Sequence, residues 1–428
     1  MRKLNIAIIG LGNIGCYLFK YLNDNKKILT EKTNCIPVVK YVSAKKRNKK
    51  RSIKYKKSQW LDNYLDATNL PDVDLIIELI GGAEGAAKKL VFNALKNGKH
   101  VVTANKALIA KYGDQLSRVA ETNKVNLEFE ASVCGGVPII RSLKEGLIAN
   151  KISKIYGILN GTSNYILSSM DKLDKNFEAV LDNAKKLGYA ESDPRADING
   201  DDVSSKLKIL SSLCFNSFLN NNIYVEGIKN IDKTDIDNAN KLGYKIKLLG
   251  FAELLNNKIY QRVHPTLIKK DTYVASIDGV LNAVIVEGRP VGQSTIQGEG
   301  AGPEATTSAL ISDISSILRG NIKFPFSISN RKRKKLKFEK INERFFSAYL
   351  RFEVIDKPGV LSNITNTFSK YKVSIKRLVQ NPEKNKKLSS IVIISHDAKD
   401  RHLNKIIKEI SKKNYIKQKP KLIRIDHN

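Results

Sequence analysis

The sequence predicts an α/β protein in three parts: a doubly wound parallel sheet, an α+β middle, and a small C-terminal βαββαβ unit. Three observations carry this. Apolar runs alternate with helical patterns over the first 140 residues, the order that builds a parallel sheet. An apolar helical face at Val203, Leu207, Leu210 and Cys214 follows a dense acid cluster in the middle. After residue 345, alternating and helical runs recur in βαββαβ order. The 428 residues suffice for two or three cores. The expected parts are residues 1–135, residues 136–320, a charged linker over 321–345, and residues 346–428.

The first strand is "LNIAII" (Leu4–Ile9), followed at once by Gly10-Leu11-Gly12-Asn13-Ile14-Gly15. This GxGxxG stands between a strand and an apolar-faced helix, the context a Rossmann dinucleotide site requires. Gly10 permits the tight turn, Gly12 lets backbone approach a pyrophosphate, and Gly15 lets helix and strand pack closely. The N-terminus of the helix offers free N–H groups to phosphate. Gly10, Gly12, Asn13, Ile14 and Gly15 are therefore expected at the cofactor.

The second strand, Ile36–Val42, is followed by Ser43-Ala44-Lys45-Lys46-Arg47. An NAD site usually ends this strand with an acid on the ribose hydroxyl. Here Lys45, Lys46 and Arg47 suit a 2′-phosphate instead, so NADP(H) is favoured and NAD(H) stays open. Further strands are expected within Val73–Gly82, His100–Ala110 and Val125–Ile140, with a helix over residues 86–97. Ligands in such sheets lie at the carboxyl ends of the strands. Asn105, Lys106 and the turn over Glu130–Val137 stand at such ends.

In the middle, Asp202 and Lys206 are i, i+4 neighbours. An exposed pair of this kind contributes only about 0.3–0.5 kcal/mol, and would leave the preceding acid cluster unexplained. "GILNGTSNYIL" (Gly157–Leu167) reads equally as a polar turn with a helix cap.

The net charge of +32 raises nucleic-acid binding. Lysine is spread along the whole chain, however, and no aromatic residues interleave the clusters at Lys45–Arg51 and Arg331–Lys337. Solvated lysine faces are the preferred account, with no nucleic-acid partner. No run of 18 apolar residues occurs, so no membrane span is expected. Four scattered cysteines and no leader-like N-terminus lead to a cytoplasmic expectation.

Five segments resemble homoserine dehydrogenases, in the family's order: "GLGNIG", "TANKALIA", "FEASVCGGVPII", "GILNGTSNYIL" with "GYAESDPRADINGDDVSSKL", and "GEGAGPEATTSAL". They cover most of residues 1–320. The resemblance implies reversible transfer of a hydride from NADPH to the aldehyde carbon of L-aspartate 4-semialdehyde. The product is L-homoserine, on the route to threonine, methionine and isoleucine. It assigns Lys206 as proton donor and Lys106 to nicotinamide and substrate. Glu191 and Asp202 would bind the amino-acid end, and Thr103, Gly188 and Gly302 the cofactor. A sodium or potassium ion would sit on backbone carbonyls of Glu130, Val133, Gly135 and Val137, with Cys134 where many relatives carry another small residue. A lysine acting as an acid would want a lowered pKa, with Lys106 as a cationic neighbour of Lys206.

The C-terminal pattern has strands near Tyr349–Val354, Val373–Val379, Leu388–Ile394 and Lys421–Ile425, with "DKPGVL" after the first. It resembles an ACT domain, which implies pairing between copies and amino-acid binding, threonine being the expected inhibitor. A homodimer or homotetramer is expected by the same resemblance. Another NADP-linked amino-acid dehydrogenase, a catalytically silent amino-acid sensor and a basic nucleic-acid binder are the competing readings.

Overall fold

The computed structural model describes residues 1–382 and 387–426. The first strand, β1 (Arg2–Ile9), is sealed where its core-facing apolar residues lie. Helices α1 (Asn13–Asp24) and α2 (Lys26–Thr33) lead to β2 (Cys35–Ser43), which runs parallel to β1. Then come β3 (Leu75–Glu78), α3 (Ala86–Lys96), β4 (His100–Thr103), α4 (Lys106–Thr122) and a two-residue β5 (Leu127–Glu128). The sheet order is β2-β1-β3-β4-β5, all parallel. The order in which strands are added reverses between β1 and β3, and the crevice outside that switch point is where this architecture binds ligands.

The second part contains the short α5 (Ile139–Arg141), β6 (Lys151–Ile158), α6 (Gly161–Leu173), α7 (Phe177–Lys186), α8 (Arg195–Ile198) and α9 (Asp201–Cys214). After β7 (Tyr224–Val225) and α10 (Lys233–Lys241) come the long strands β8 (Tyr244–Leu255) and β9 (Lys258–Lys269). Next are α11 (Tyr273–Ser276), the hairpin β10 (Leu281–Arg289) and β11 (Gly292–Glu299), and α12 (Pro303–Leu318). These strands form an antiparallel sheet, β11-β10-β6-β8-β9, to which the short β7 adds by pairing parallel with β9.

Helix α12 does not stay with that sheet. Its buried Leu310, Ile314, Ile317 and Leu318 join Leu4, Ile6, Ile8, Leu18 and Leu22 in one core. A parallel sheet needs both faces covered. Here α3 and α4 cover one, and α12 helps α1 with the other. Helix α12 lies within the expected 136–320 part, yet it packs with the first sheet, so the nucleotide-binding core is completed by a helix from the far end of the middle segment.

The charged stretch over 321–345 is largely exposed but anchored to the parts before it. It holds the two-residue strand β12 (Lys337–Phe338), which pairs with β9. Its Arg333 side chain is fully buried, ion-paired with Asp114 at 2.7 Å and donating to Ser212 Oγ at 2.7 Å. The charged stretch is a strap between the first two parts, because Arg333 neutralises an acid on α4.

The C-terminal part runs β13 (Phe345–Ile355), α13 (Val360–Lys370), β14 (Ile375–Pro382), β15 (Leu388–Ser395), β16 (Ala398–Lys399), α14 (Asp400–Ile410) and β17 (Lys421–Ile425). Leaving aside the short β16, this is the expected βαββαβ order, with antiparallel sheet order β17-β13-β15-β14. Strand β17 also pairs parallel with β9, Arg424 opposite Thr266 and Ile425 opposite Leu267, so the two sheets are continuous. Buried Arg351 on β13 reinforces the joint, meeting Asp235 at 2.7 Å and Asp232 at 2.5 Å around the start of α10.

Candidate active site

The glycine turn has the geometry its sequence requires. Gly10 has φ +114°, and a Cβ there would lie 2.4 Å from the Leu79 carbonyl oxygen. A Cβ on Gly15 would lie 2.0 Å from the Gly10 carbonyl oxygen. Gly12 differs: a Cβ there would meet nothing within 4 Å. Two glycines close the turn and the third faces open space, which is what a phosphate cradle needs. Asn13 and Ile14 open α1 immediately behind it.

The neighbouring loops are held by a network that the sequence did not reveal. Buried Glu78 ends β3 and accepts N–H bonds from Ile80 (2.8 Å) and Gly81 (3.0 Å). Its other oxygen accepts from the Thr103 hydroxyl at 2.5 Å. That hydroxyl in turn accepts from the Asn105 N–H at 3.0 Å. Asn105 donates to the Gly82 carbonyl (2.6 Å) and caps α4 by accepting from the Leu108 N–H (3.0 Å). Thr103 was expected at the cofactor; its side chain is buried and its hydroxyl is engaged by Glu78 and Asn105, so only its backbone remains available.

This network sets Lys106 at the first position of α4, at the carboxyl end of β4. Lys106 Nζ lies 2.7 Å from one carboxylate oxygen of Asp202, and Lys206 Nζ lies 2.8 Å from the other. Lys206 also donates to the Leu159 carbonyl at 2.7 Å. Asp202 and Lys206 are buried, whereas the Lys106 side chain is 44% exposed. The exposed-pair account of Asp202 and Lys206 is therefore ruled out. Lys206 forms the floor of the cluster and Lys106 its mouth.

Asn160 supplies a fourth member. Its amide N–H₂ donates to Asp202 (2.9 Å) and to Asp197 (2.7 Å), while its carbonyl caps α6 through the Ser163 N–H (2.7 Å). The "GILNGTSNYIL" turn is thus a helix cap whose capping side chain also enters the cluster. Asp197 was not singled out from sequence; the only signal was its place in the acid cluster.

Electrostatics explains why this cluster is stable. Burial pushes the Asp202 carboxyl up, but the charges of Lys206 and Lys106 outweigh it and hold its pKa well below the usual range. Burial pushes Lys206 down, yet Asp202 overcomes this and leaves its pKa raised. The expectation of a lowered lysine pKa is corrected here: an acid stands between the two lysines, and charge pairing defeats desolvation. Asp197 is shifted up by burial and then by the charge of Asp202.

Other expected residues lie around this centre. Gly188 (φ +75°) and Gly302 (φ +106°) both face space where a Cβ would touch nothing. The Gly188–Tyr189 turn is held by the Thr162 hydroxyl, which donates to the Tyr189 carbonyl at 2.7 Å. Glu191 is exposed and forms no hydrogen bond or ion pair with Asp202 or either lysine. Arg47 pairs with Asp62 at 3.1 Å, and Lys45 and Lys46 are exposed. No aromatic residue interleaves this cluster in sequence, but one joins it in space. Trp60 folds back onto this cluster, with Arg47 and Arg51 guanidinium groups 5.7 and 5.4 Å from its ring centre.

The turn over Glu130–Val137 is tightly organised. Glu130 is buried, its carboxylate accepting N–H bonds from Ile140 (2.9 Å) and Arg141 (2.6 Å). Burial raises its pKa to about 7. Cys134 (φ +55°) and Gly135 (φ +39°) turn the chain. The Glu130 and Val137 carbonyls each accept one turn hydrogen bond, from Val133 and Ile139. Among the described residues, none donates to the carbonyls of Val133 or Gly135. Nearby Asn282 is buried with neither amide atom bonded, packed so that a Cβ on Gly300 would lie 2.0 Å from its Oδ1. Unpartnered oxygens of this kind fit a hard monovalent cation.

A parallel dinucleotide fold with a glycine-turn phosphate cradle, and a lysine–aspartate cluster reached from the carboxyl end of β4, make up the parts of a nicotinamide-dependent oxidoreductase. Comparison with known proteins names the kind. The family model "Homoserine dehydrogenase, NAD binding domain" matches residues 10–130, "Homoserine dehydrogenase" residues 138–315, and "ACT domain" residues 348–414. The homoserine dehydrogenase of Neisseria gonorrhoeae is 37% identical, with 100% of this chain and 99% of that one aligned. That of Bacillus subtilis is 34% identical at 100% and 99% coverage. The crystal structure of a homoserine dehydrogenase from Thiobacillus denitrificans superposes with a TM-score of 0.93 at 36% identity, covering 100% and 99%. This chain belongs to the homoserine dehydrogenase family, as an NAD(P)-dependent oxidoreductase with a C-terminal ACT domain. No helix among the described residues is long and apolar enough to cross a membrane.

Proposed function

We propose that the enzyme reduces L-aspartate 4-semialdehyde with NADPH in preference to NADH, with Lys206 as the proton donor. The observation that carries this is the buried Lys206 ammonium held between Asp202 and the Leu159 carbonyl. Hydride arrival turns the carbonyl oxygen into an alkoxide, which needs a proton and a positive field. Lys206 stays charged at neutral pH because Asp202 raises its pKa, so the proton is present when the alkoxide forms. Lys106, more exposed and one hydrogen bond away on Asp202, orients substrate at the mouth. Asp202, Asp197 and the flexible-length Glu191 side chain offer negative charge for the substrate ammonium.

NADPH preference is supported by the cations after β2, with Lys45 and Lys46 exposed there and no acid ending the strand. The orphan carbonyls of Val133 and Gly135 support a sodium or potassium ion, with Glu130 and Val137 on the same turn. The bound cofactor supplies the hydride; the chain binds it, orients the substrate and supplies the proton. The product feeds threonine, methionine and isoleucine synthesis in the cytoplasm. The ACT domain suits threonine as an effector, in a homodimer or homotetramer.

The test follows absorbance of reduced nicotinamide with homoserine plus NADP or NAD, with sodium or potassium present. Activity with NADP exceeding that with NAD is expected. Lys206→Ala should cut kcat by about 10²–10⁴-fold while leaving the NADPH Kd largely unchanged. A variant that keeps its kcat, or that loses NADPH affinity instead, removes Lys206 from the proton-transfer role.

A further inference from the structure

The chain's one tryptophan sits against the cationic loop that follows β2. Trp60 is fixed from several sides. It bridges to Val42 on β2, its indole N–H donates to Asp62 at 2.9 Å, and Tyr55 stacks on it at 5.5 Å. Arg47 and Arg51 both approach its ring, but they differ in their other partners. Arg47 is bound to the Asp62 carboxylate.

Arg51 is bound to carbonyls. Its Nε donates to Leu11 in the glycine turn at 3.3 Å. Nη1 donates to Arg47 (3.0 Å) and Lys49 (2.9 Å), and Nη2 to Lys46 (2.6 Å). Four of the five guanidinium N–H groups are thereby engaged. One side chain ties the loop over residues 46–49 to the turn that cradles phosphate, forty residues away in sequence.

The loop needs such a tie. Lys45, Lys46, Arg47, Lys49 and Lys50 are all exposed, and their like charges push the segment apart. It has no helix or strand hydrogen bonds to hold it. With its donors occupied, Arg51 has little left to offer a ligand directly. Lys45 and Lys46, exposed at the end of β2, retain theirs. That strand end is where this architecture places the adenosine ribose.

We propose that Arg51 is a positioning residue for cofactor discrimination. It clamps the cationic loop against Leu11, so that Lys45 and Lys46 stand ready for the 2′-phosphate of NADP(H). The clamp rests on the NADPH preference proposed above. Its contribution is pre-organisation: if the released loop is competent one-tenth of the time, apparent affinity falls about tenfold. NADH has no 2′-phosphate and should be little affected.

The experiment titrates the full-length protein with NADPH and with NADH, reading quenching of Trp60 and, independently, nicotinamide fluorescence. Wild type, Arg51→Ala and Arg51→Lys are compared, and thermal melting checks that each is folded. Arg51→Ala should raise the NADPH Kd about tenfold and the NADH Kd by less than about twofold. Arg51→Lys should resemble Arg51→Ala, because an ammonium keeps the charge but cannot fork onto four carbonyls; it also serves should the alanine variant not fold. An equal loss for both cofactors, no loss, or a lysine variant matching wild type would overturn the clamp. A wild type that binds NADH as tightly as NADPH would instead overturn the preference on which it rests.

Discussion

Replacing Asp202 by Asn should destabilise the protein in a way that depends on pH. The buried Lys206 would lose its counter-charge while keeping its hydrogen bond to Leu159. Removing one partner of a buried ion pair costs about 3–5 kcal/mol. The lysine can escape this penalty by shedding its proton. From a reference pKa of 10.5, deprotonation at pH 7 costs about 5 kcal/mol, at roughly 1.36 kcal/mol per unit. At pH 9 it costs only about 2 kcal/mol, which caps the penalty. Lys106 adds little, because it is 44% exposed and can turn to solvent.

The sign follows from linkage. In the wild type the folded pKa of Lys206 lies above its unfolded value, so its contribution is intact at both pH 7 and pH 9. In the variant the folded pKa falls below the unfolded one. The unfolded chain then binds more protons, and stability rises with pH. Urea midpoints of both proteins at the two pH values measure the difference. A penalty of about 3–5 kcal/mol at pH 7, shrinking to about 2 or less at pH 9, is expected. An equal penalty at both values, or one under about 1 kcal/mol at pH 7, would show that Lys206 is not the charge stranded by the change.

Three other outcomes are expected. Homoserine oxidation needs Lys206 as a base, so its rate should climb about tenfold per pH unit with no plateau below pH 10, whereas the reductive rate stays level between pH 7 and 9; stopped-flow profiles in both directions check this. Gly12→Ala should melt like wild type, within about 0.5 kcal/mol, yet bind NADPH poorly; Gly15→Ala should lose about 1–3 kcal/mol, because its methyl group would strike the Gly10 carbonyl. Arg351→Ala strands Asp235 and should cost about 3–5 kcal/mol, with hydrogen exchange rising first at the β17–β9 joint.

Local features of the site were legible in the sequence. The strand, glycine turn and helix of residues 2–24 are contiguous, and the i, i+4 spacing of Asp202 and Lys206 put them on one helix face. The long-range features were not. Lys106 reaches Asp202 across 96 positions of sequence, and Asn160 joins Asp202 to Asp197 across two helices. The direction of the Lys206 shift depended on that closure: with a second lysine beside it the pKa would fall, but with an acid between them it rises. Trp60 escaped notice because it lies outside the basic cluster it covers. The anchor of the charged stretch over 321–345 was hidden because burial of one arginine among many cations leaves no pattern of period.

The return of α12 to the first sheet bears on how the chain is made. Leu4, Ile6 and Ile8 wait for Leu310, Ile314 and Ile317 to complete their core. A ribosome adding ~5–20 residues per second needs roughly 10–40 s to travel from the end of β5 to the end of α12. Throughout that interval the oldest part of the nascent chain presents an apolar face that α1 covers only in part. The N-terminal domain is therefore the first to be synthesised but cannot be the first to finish folding. A polypeptide released at residue 135 would be a client for chaperones rather than an independent nucleotide-binding module.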